Sequence, residues 1–264
     1  MILSASRRYV HELRAIAALR FGDRKRAFFG AADRFNFDKR DLIDLAYRRC
    51  DPAPASFADL GGIWNVDGAY TYYTLAEHGA ARAFLVDFAI SEAATRASRG
   101  HRGLTLIKGK FASEQVMEKI GEVDAVFLFD VLLHQVKPDW DEILRAYAKR
   151  TRYFVIYNQQ WTGSTHTVRL LDLGEEEYFR NIPANSRDLP SYSGLIEKLH
   201  ERATPEKDRV WRDMTSVWQW GITDGDLLEA MQGLGFKMQH YRNCGRFGAL
   251  PNFENHGFVF QRAI

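Results

Sequence analysis

A short apolar run that ends beside an acid and two glycines is the part of this sequence best suited to bind a small molecule. The run reads Ala58-Asp59-Leu60-Gly61-Gly62 and is typical of a buried strand that turns directly into a loop. Because glycine has no Cβ, its backbone can adopt a positive φ and come close to a ligand. The pattern therefore predicts a ligand-binding turn at the carboxyl end of a strand.

A second acid ends the strand-helix-strand unit that starts with this run. Residues 83–87 form another apolar run, which ends in the carboxylate of Asp87, and residues 68–79 between the two runs have the spacing of a helix. A carboxylate at the tip of the second strand can accept hydrogen bonds from both hydroxyls of a ribose. We therefore expect a nucleoside-containing cofactor, although the Gly-x-Gly-x-x-Gly pattern that holds a pyrophosphate is absent.

Five further apolar runs follow along the chain. These runs are Leu104–Phe111, Val123–Asp130, Tyr153–Tyr157, Gly235–Tyr241 and His256–Gln261.

From Ser56 to Trp161 the sequence resembles the class I S-adenosylmethionine-dependent methyltransferases. In that family the first strand ends in an acid and a glycine-rich turn, and the second strand ends in another acid. The resemblance implies a doubly wound, Rossmann-like, mostly parallel, seven-stranded α/β sheet with an antiparallel C-terminal hairpin, in which the five later runs are the third to seventh strands, and it implies S-adenosylmethionine as cofactor. A sheet of this kind binds its ligands beyond the carboxyl ends of its strands, so the residues that follow each run are the candidate site residues. The implied cofactor-binding residues are Asp59, Gly61, Gly62, Trp64, Asp87, Phe88, Phe111 and Asp130.

The sequence departs from the family pattern at two places. Asn65 stands near the position of a third glycine, and the loop continues through Asp67 to Gly68. Within the family, this loop looks most like the branch that includes transfer-RNA wobble-uridine-modifying enzymes. Lys110 follows Gly109 where the family commonly has an acid that faces the adenine, so we expect Phe111 or its backbone to flank the base instead.

Two residues after the fourth strand could take part in the chemistry of methyl transfer. Such a transfer requires a well-positioned acceptor and, for a hydroxyl acceptor, a group that takes its proton. His134 is the candidate base, because an imidazole titrates near neutral pH. Asp130 is expected to contact the cofactor or the acceptor. The alternatives are that His134 only packs or hydrogen-bonds, and that Asp130 caps the turn that follows it.

The acceptor is expected to bind beyond the fifth strand. Asn158 and Gln159, with Gln160, would lie just past that strand and offer neutral hydrogen-bonding groups to a polar substrate. The alternative is that they form a solvated loop. Tryptophan rings can stack on a base, a sugar or a cation, although tryptophan is more often a core residue. The candidate tryptophans are Trp161, Trp218 and Trp220. No carboxylate pair is placed to hold a metal ion, so we expect none.

Composition restricts the class of protein. The chain has 264 residues, 46% hydrophobic content and a formal net charge of +2, which favours one sizeable domain and argues against a globally basic nucleic-acid binder. It has two cysteines and no long apolar run, so neither a disulfide framework nor a membrane span is expected. The start of the sequence has no signal-peptide pattern. These features predict a cytoplasmic protein.

The charge is unevenly distributed along the chain. Residues 1–50 contain twelve Lys or Arg against six acids, and apolar spacing over residues 10–21 and 42–46 predicts two helices there. We expect an N-terminal helical extension over residues 1–50 that covers the mouth of the site. A methyltransferase domain would then span residues 51–264, with a substrate-side insertion at residues 162–214 rich in turn signals.

The reaction most consistent with these features is O-methylation of a polar small molecule or a sugar. One alternative is modification of transfer RNA, since the basic extension could contact phosphates. Another alternative is a catalytically silent binding protein of the same fold. A homodimer is compatible with the sequence.

Overall fold

The computed structural model describes residues 35–203 and 209–263 of the chain. The helices in this part are α1 (Phe37–Arg49), α2 (Ala69–His78), α3 (Glu92–Ser98), α4 (Glu114–Ile120), α5 (Trp140–Ala148), α6 (Glu175–Arg180) and α7 (Asp224–Gly233). The strands are β1 (Ser56–Leu60), β2 (Arg82–Asp87), β3 (Leu104–Lys108), β4 (Val123–Phe129), β5 (Thr151–Trp161), β6 (Val168–Arg169), β7 (Trp220–Gly221), β8 (Phe236–Arg246) and β9 (Phe253–Arg262).

Seven of these strands form one sheet in the order β3-β2-β1-β4-β5-β9-β8. The first five strands in this order are parallel, and β9 is antiparallel to both of its neighbours. The predicted doubly wound, mostly parallel sheet with an antiparallel C-terminal hairpin is therefore confirmed. Strands β1 and β4 are adjacent, and the strands that follow them in the chain, β2 and β5, lie on opposite sides of this pair. A crevice is therefore expected beyond the carboxyl ends of β1 and β4.

Helices cover both faces of the sheet, and alternate residues of each strand point to opposite faces. On β4, Val126 and Leu128 pack with α4, α5 and α7, whereas Ala125 and Phe127 pack on the α1 side. Helices α2 and α3 lie on the same side as α1. Burial of the central strands on both faces explains why their sequences are continuously apolar rather than alternating.

The sequence of α1 accounts for both its start and its orientation. The Asn36 side chain caps the helix by accepting a hydrogen bond from the backbone N–H of Asp38 at 2.8 Å. Its buried residues have the i, i+3, i+4, i+7 spacing of one helix face. They are Lys39, Leu42, Ile43 and Ala46. A lysine therefore lies on the face that packs against the sheet.

The segment between β5 and α7 builds a hydrophobic core of its own. It contains α6 and the two-stranded sheet of β6 and β7. Its core joins insertion residues to side chains from the ends of β5 and β9. Members include Trp161, Leu170, Leu171, Tyr178, Tyr192, Leu195, Trp218 and Phe253. An ion pair of 2.8 Å between Arg169 and Asp213 links β6 to the far end of the segment.

Two boundaries differ from those that the sequence predicts. Strand β5 runs to Trp161 instead of ending at Tyr157, because Gln159 and its neighbours pair with β9. The placement of Asn158, Gln159 and Gln160 beyond the end of the strand is therefore wrong, and so is the alternative of a solvated loop. His256 lies inside β9 rather than at its start, for the same reason.

Most of the predicted N-terminal extension, including its first helix, lies outside the described residues. Its second helix is confirmed as α1. The division at residue 50 and the limits of the insertion stay predictions. Within the described ranges, none of the helices has both the length and the apolar character needed to cross a membrane.

Candidate active site

The turn after β1 needs its two glycines for reasons of packing within the chain. Gly61 has a φ of +79°, and a Cβ there would lie 2.6 Å from Cγ1 of Val131. A Cβ on Gly62 would lie 2.5 Å from a carboxylate oxygen of Asp59. Contacts this short exclude any side chain, so the glycines allow the carboxylate of Asp59 and the β4 segment to close under the turn.

The rest of the loop replaces the expected third glycine with polar residues. Asn65 and Asp67 have φ values of 63° and 49°, in the left-handed region that asparagine and aspartate tolerate better than other side chains. Gly68, with a φ of 83°, precedes α2, and its N–H donates to the Gly62 carbonyl at 2.8 Å. The departure from the family pattern therefore still gives a closed turn.

The two acids predicted to bind the cofactor are both buried at the tips of their strands. Asp59 is 1% exposed and accepts a hydrogen bond from the Thr71 hydroxyl at 2.7 Å, while its Oδ1 has no partner. Burial raises the pKa of Asp59 to about 6. Asp87 accepts hydrogen bonds from the backbone N–H of Ile63 at 3.1 Å and of Ala89 at 3.2 Å. The Asp87 carboxylate thus joins the turn after β1 to the tip of β2.

Aromatic side chains surround this turn. Trp64 is 73% exposed and Phe88 is 71% exposed, which is unusual for large apolar residues. Phe111, after β3, is half-buried, and its ring lies 3.8 Å from the position of a Cβ on Gly61. Flat apolar surfaces beside a carboxylate have the character of a nucleoside site, in which a base stacks and a ribose donates hydrogen bonds. The residues present therefore fit the cofactor that the sequence implies.

Asp130 is held at the tip of β4 by contacts from three directions. Its backbone has a φ of 59°, and its N–H donates to the Tyr157 carbonyl at 2.8 Å. Its Oδ1 accepts a hydrogen bond from Gln159 Nε2 at 2.7 Å, and its Oδ2 forms an ion pair with Lys39. The side chain of Gln159 therefore orients Asp130 rather than facing an open loop.

Lys39, which the sequence analysis does not predict as a site residue, contacts the predicted site residue Asp130. It is 7% exposed, and its ammonium lies 5.2 Å from the ring centre of Tyr157, 5.4 Å from that of Tyr70 and 6.0 Å from that of Phe129. Aromatic faces attract a cation at such distances. The spacing of Lys39 with the apolar residues of α1 was a usable signal that its side chain points inward.

His134 ends a short 3-10 turn that follows β4. Its Nδ1 lies 3.0 Å from the carbonyl oxygen of Val217. A carbonyl can only accept, so Nδ1 carries the proton in the neutral ring and Nε2 keeps a lone pair. Burial lowers the pKa of His134, which favours this neutral form. The arrangement suits a base, and whether His134 acts as one stays a prediction.

The remaining predicted acceptor residues are mainly structural in this conformation. Asn158 and Gln159 are buried within β5. Trp161 and Trp218 are 6% and 7% exposed because they pack inside the core of the insertion. Trp220 is half-buried and donates from its ring nitrogen to the Gln135 carbonyl at 2.7 Å. Contact of any of these residues with an acceptor stays a prediction.

Potential metal ligands do not gather at this edge. In the part of the chain that the structure describes, no three His, Cys, Asp or Glu side chains are grouped so as to hold a metal ion. A metal-independent site stays a prediction from the sequence.

Comparison with known proteins identifies the fold. No protein-family model matches the chain, and no curated protein matches its sequence. The N-terminal domain of EvdMO1, solved in the presence of S-adenosylhomocysteine and D-fucose, has a TM-score of 0.54 and 15% identity, over 86% of this chain and 84% of that chain. The 1,6-didemethyltoxoflavin-N1-methyltransferase of Burkholderia thailandensis, solved with 1,6-didemethyltoxoflavin and S-adenosylhomocysteine, has a TM-score of 0.52 and 13% identity, over 100% and 93% of the two chains. The chain therefore has the class I methyltransferase fold.

Proposed function

We propose that this chain is an S-adenosylmethionine-dependent methyltransferase that acts on a hydroxyl of a polar small molecule or a sugar. The proposal rests on one observation, which is that two groups of residues suited to methyl transfer lie at the same edge of the sheet. The tips of β1 and β2 provide a glycine turn, the Asp87 carboxylate and exposed aromatic rings. The tip of β4 provides an imidazole whose Nε2 keeps its lone pair.

The residues around the turn have separate roles in holding the cofactor. When bound, S-adenosylmethionine supplies a methyl group activated by its sulfonium. The Asp87 carboxylate would accept hydrogen bonds from the ribose, since each of its oxygens has a lone pair beyond the one used by the backbone. Trp64, Phe88 and Phe111 would provide stacking surfaces for the adenine.

His134 would remove the proton of the acceptor hydroxyl. The hydrogen bond from Nδ1 to the Val217 carbonyl fixes the ring orientation and leaves Nε2 as the accepting atom. Because the pKa of His134 is lowered by burial, the ring is neutral at physiological pH and can take a proton. The insertion lies next to this turn, since Leu133 and Val217 belong to its core, and it would form the acceptor pocket.

The basic residues of α1 divide into two groups. Lys39 is buried against Asp130 and Arg40 is paired with Asp41, whereas Arg48 and Arg49 are exposed. The first two cations therefore do not present a free surface to phosphates, and the RNA alternative depends on the other basic residues. A sugar acceptor would parallel EvdMO1, whose N-terminal domain was solved in the presence of D-fucose. Cytoplasmic residence and a homodimer stay predictions.

Calorimetric titration with S-adenosylhomocysteine tests the cofactor assignment. We expect micromolar binding by the wild type and a loss of about 100-fold or more in Asp87→Ala, because two hydrogen bonds to a charged group disappear. Glu229→Ala, which removes an exposed acid from α7, is the control and should bind as the wild type does. The absence of binding by the folded wild type would contradict the proposal.

Transfer of a labelled methyl group then tests the acceptor. The purified chain is incubated with methyl-labelled cofactor and cell extract, which is afterwards separated into metabolite, glycan and RNA fractions. We expect label in the metabolite or glycan fraction. Label in RNA alone would support the transfer-RNA alternative, and tight cofactor binding without any transfer would support a silent binding protein.

A further inference from the structure

The strand order determines which way a bound cofactor extends across the sheet edge. With its ribose on Asp87 at the tip of β2, its adenine would face the aromatic residues that follow β2 and β3, which are Phe88 and Phe111. Strands β1 and β4 lie on the opposite side of β2. The amino-acid tail attached to the ribose must therefore extend toward the tips of these two strands.

The tail is a zwitterion, with one ammonium and one carboxylate on the same carbon. It needs a cation and an acceptor held close together in a partly dehydrated place. The Lys39–Asp130 pair at the tip of β4 has this composition. In addition, Asp59 at the tip of β1 has a buried oxygen without a partner. Among the described residues, no lysine or arginine other than Lys39 is buried.

The pair is exposed in an asymmetric way. The side chain of Asp130 is 37% exposed and that of Lys39 is 9% exposed, so the carboxylate is the more accessible member of the pair. Burial of the Lys39 ammonium costs desolvation free energy, which offsets part of its attraction to Asp130. The rings of Tyr70, Phe129 and Tyr157 reduce this cost for the ammonium. These features of the Lys39–Asp130 pair are more typical of a ligand-binding site than of an ion pair that only stabilises the fold.

We propose that Lys39 and Asp130 bind the amino-acid tail of the cofactor, with Lys39 pairing with its carboxylate and Asp130 accepting from its ammonium. This inference rests on the proposed function. Each charge of the tail then meets its opposite on the protein, and no unpaired charge is buried. Helix α1 thereby becomes part of the cofactor site, because it carries Lys39.

A thermodynamic cycle between protein and ligand tests the pairing. The ligands are S-adenosylmethionine and its decarboxylated analogue, which lacks only the carboxylate, and the proteins are the wild type and Lys39→Met. We expect the wild type to bind the decarboxylated analogue about 10- to 100-fold more weakly than the full cofactor, as is typical of one lost charge-assisted hydrogen bond. Lys39→Met should bind both ligands with similar affinity. Calorimetry measures all four values.

Control measurements separate this role from anchoring of the helix. Arg48→Met removes an exposed cation from the same helix and should leave all affinities unchanged. If Lys39→Met weakens both ligands by the same factor, Lys39 only anchors α1 and the inference is overturned. If Lys39→Met does not fold, equal affinity of the wild type for both ligands overturns it. A wild type that binds neither ligand contradicts the proposed function itself.

Discussion

The two halves of the site are built in different ways. The proposed cofactor half includes residues 59–68 and 87–88 at the tips of β1 and β2, and its hydrogen bonds join residues 12 and 24 positions apart in Asp59–Thr71 and Asp87–Ile63. The proposed acceptor half consists of residues 131–134 and residues 158–219. There the Val217 carbonyl is 83 positions from His134. Turn chemistry along the chain therefore defines the first half, whereas distant segments define the second.

The two halves also use their tryptophans differently. Trp64 in the cofactor half is exposed, while Trp218 in the acceptor half is buried with Phe253 at a ring distance of 5.2 Å. The first ring is available to a ligand without loss of packing. The second ring packs inside the insertion, which would form the acceptor pocket. Residue type alone therefore does not distinguish an exposed tryptophan from a buried one.

The largest expected effect comes from removing the candidate base of the acceptor half. In His134→Asn the amide can still donate to the Val217 carbonyl, but it cannot take a proton. We expect the methyl-transfer rate to fall about 10²- to 10⁴-fold. In the wild type, the rate should rise with pH through the pKa of His134, which burial lowers, and then stay level. This rise should be absent in the variant.

The pH profile of His240→Asn is the control for this prediction. The pKa of His240 is also lowered by burial, but His240 lies within β8, away from the tip of β4. Its replacement should leave the rate and its pH dependence unchanged. A His134→Asn protein with full activity at every pH would show that the imidazole has only a packing role.

Substitution of one tryptophan in each half compares their use directly. Trp218→Ala should lower the free energy of unfolding by about 3–5 kcal/mol, as is typical for loss of a buried aromatic side chain. Trp64→Ala should change it by no more than about 0.5 kcal/mol but weaken binding of S-adenosylhomocysteine. Urea unfolding and calorimetry measure the two effects. Equal losses of stability would remove the distinction between the halves.

The smallest expected effect concerns the pH dependence of stability in the cofactor half. The pKa of Asp59 is raised by burial to about 6 in the folded state, above its ordinary value of 3.8. The folded state therefore binds the proton more tightly, and stability from this group is lost as pH rises from about 4 to 6. Asp59→Asn should remove this loss and be more stable than the wild type at pH 7, by on the order of 2 to 3 kcal/mol.

Comparison of the two proteins at several pH values isolates Asp59 from other titrating groups. The Asn side chain can still accept the hydrogen bond from Thr71, so packing is largely kept. The difference in unfolding free energy should be small below pH 4 and grow toward pH 7. A difference that is constant with pH would mean that Asp59 is not the group that titrates.

Much of the fold followed from the family resemblance, and the cofactor half followed from local patterns. The resemblance of residues 56–161 to the class I methyltransferases predicts the mostly parallel sheet and its antiparallel C-terminal hairpin. The glycines and the terminal acids identify the turn after β1, since both signals lie within one strand-turn-helix unit. The left-handed backbone at Asn65 and Asp67 agrees with residue types that tolerate it.

The acceptor half was harder to predict for a physical reason. Asn158 and Gln159 are polar, and their sequence indicates a loop, but pairing with β9 makes them strand residues and buries them. Backbone hydrogen bonds to a distant strand outweigh the weak local preference of such residues. Packing of the insertion similarly determines that Trp161 and Trp218 lie in a hydrophobic core.

The sequence by itself determined the layered sheet, the glycine turn and the acids at the tips of β1 and β2, because periodicity and backbone freedom are properties of neighbouring residues. Only the tertiary structure decided that Lys39 reaches Asp130 and that Val217 orients His134. The residues of these pairs are 91 and 83 positions apart, so no local pattern couples them. Their contact depends on how α1 and the insertion pack against the same edge of the sheet.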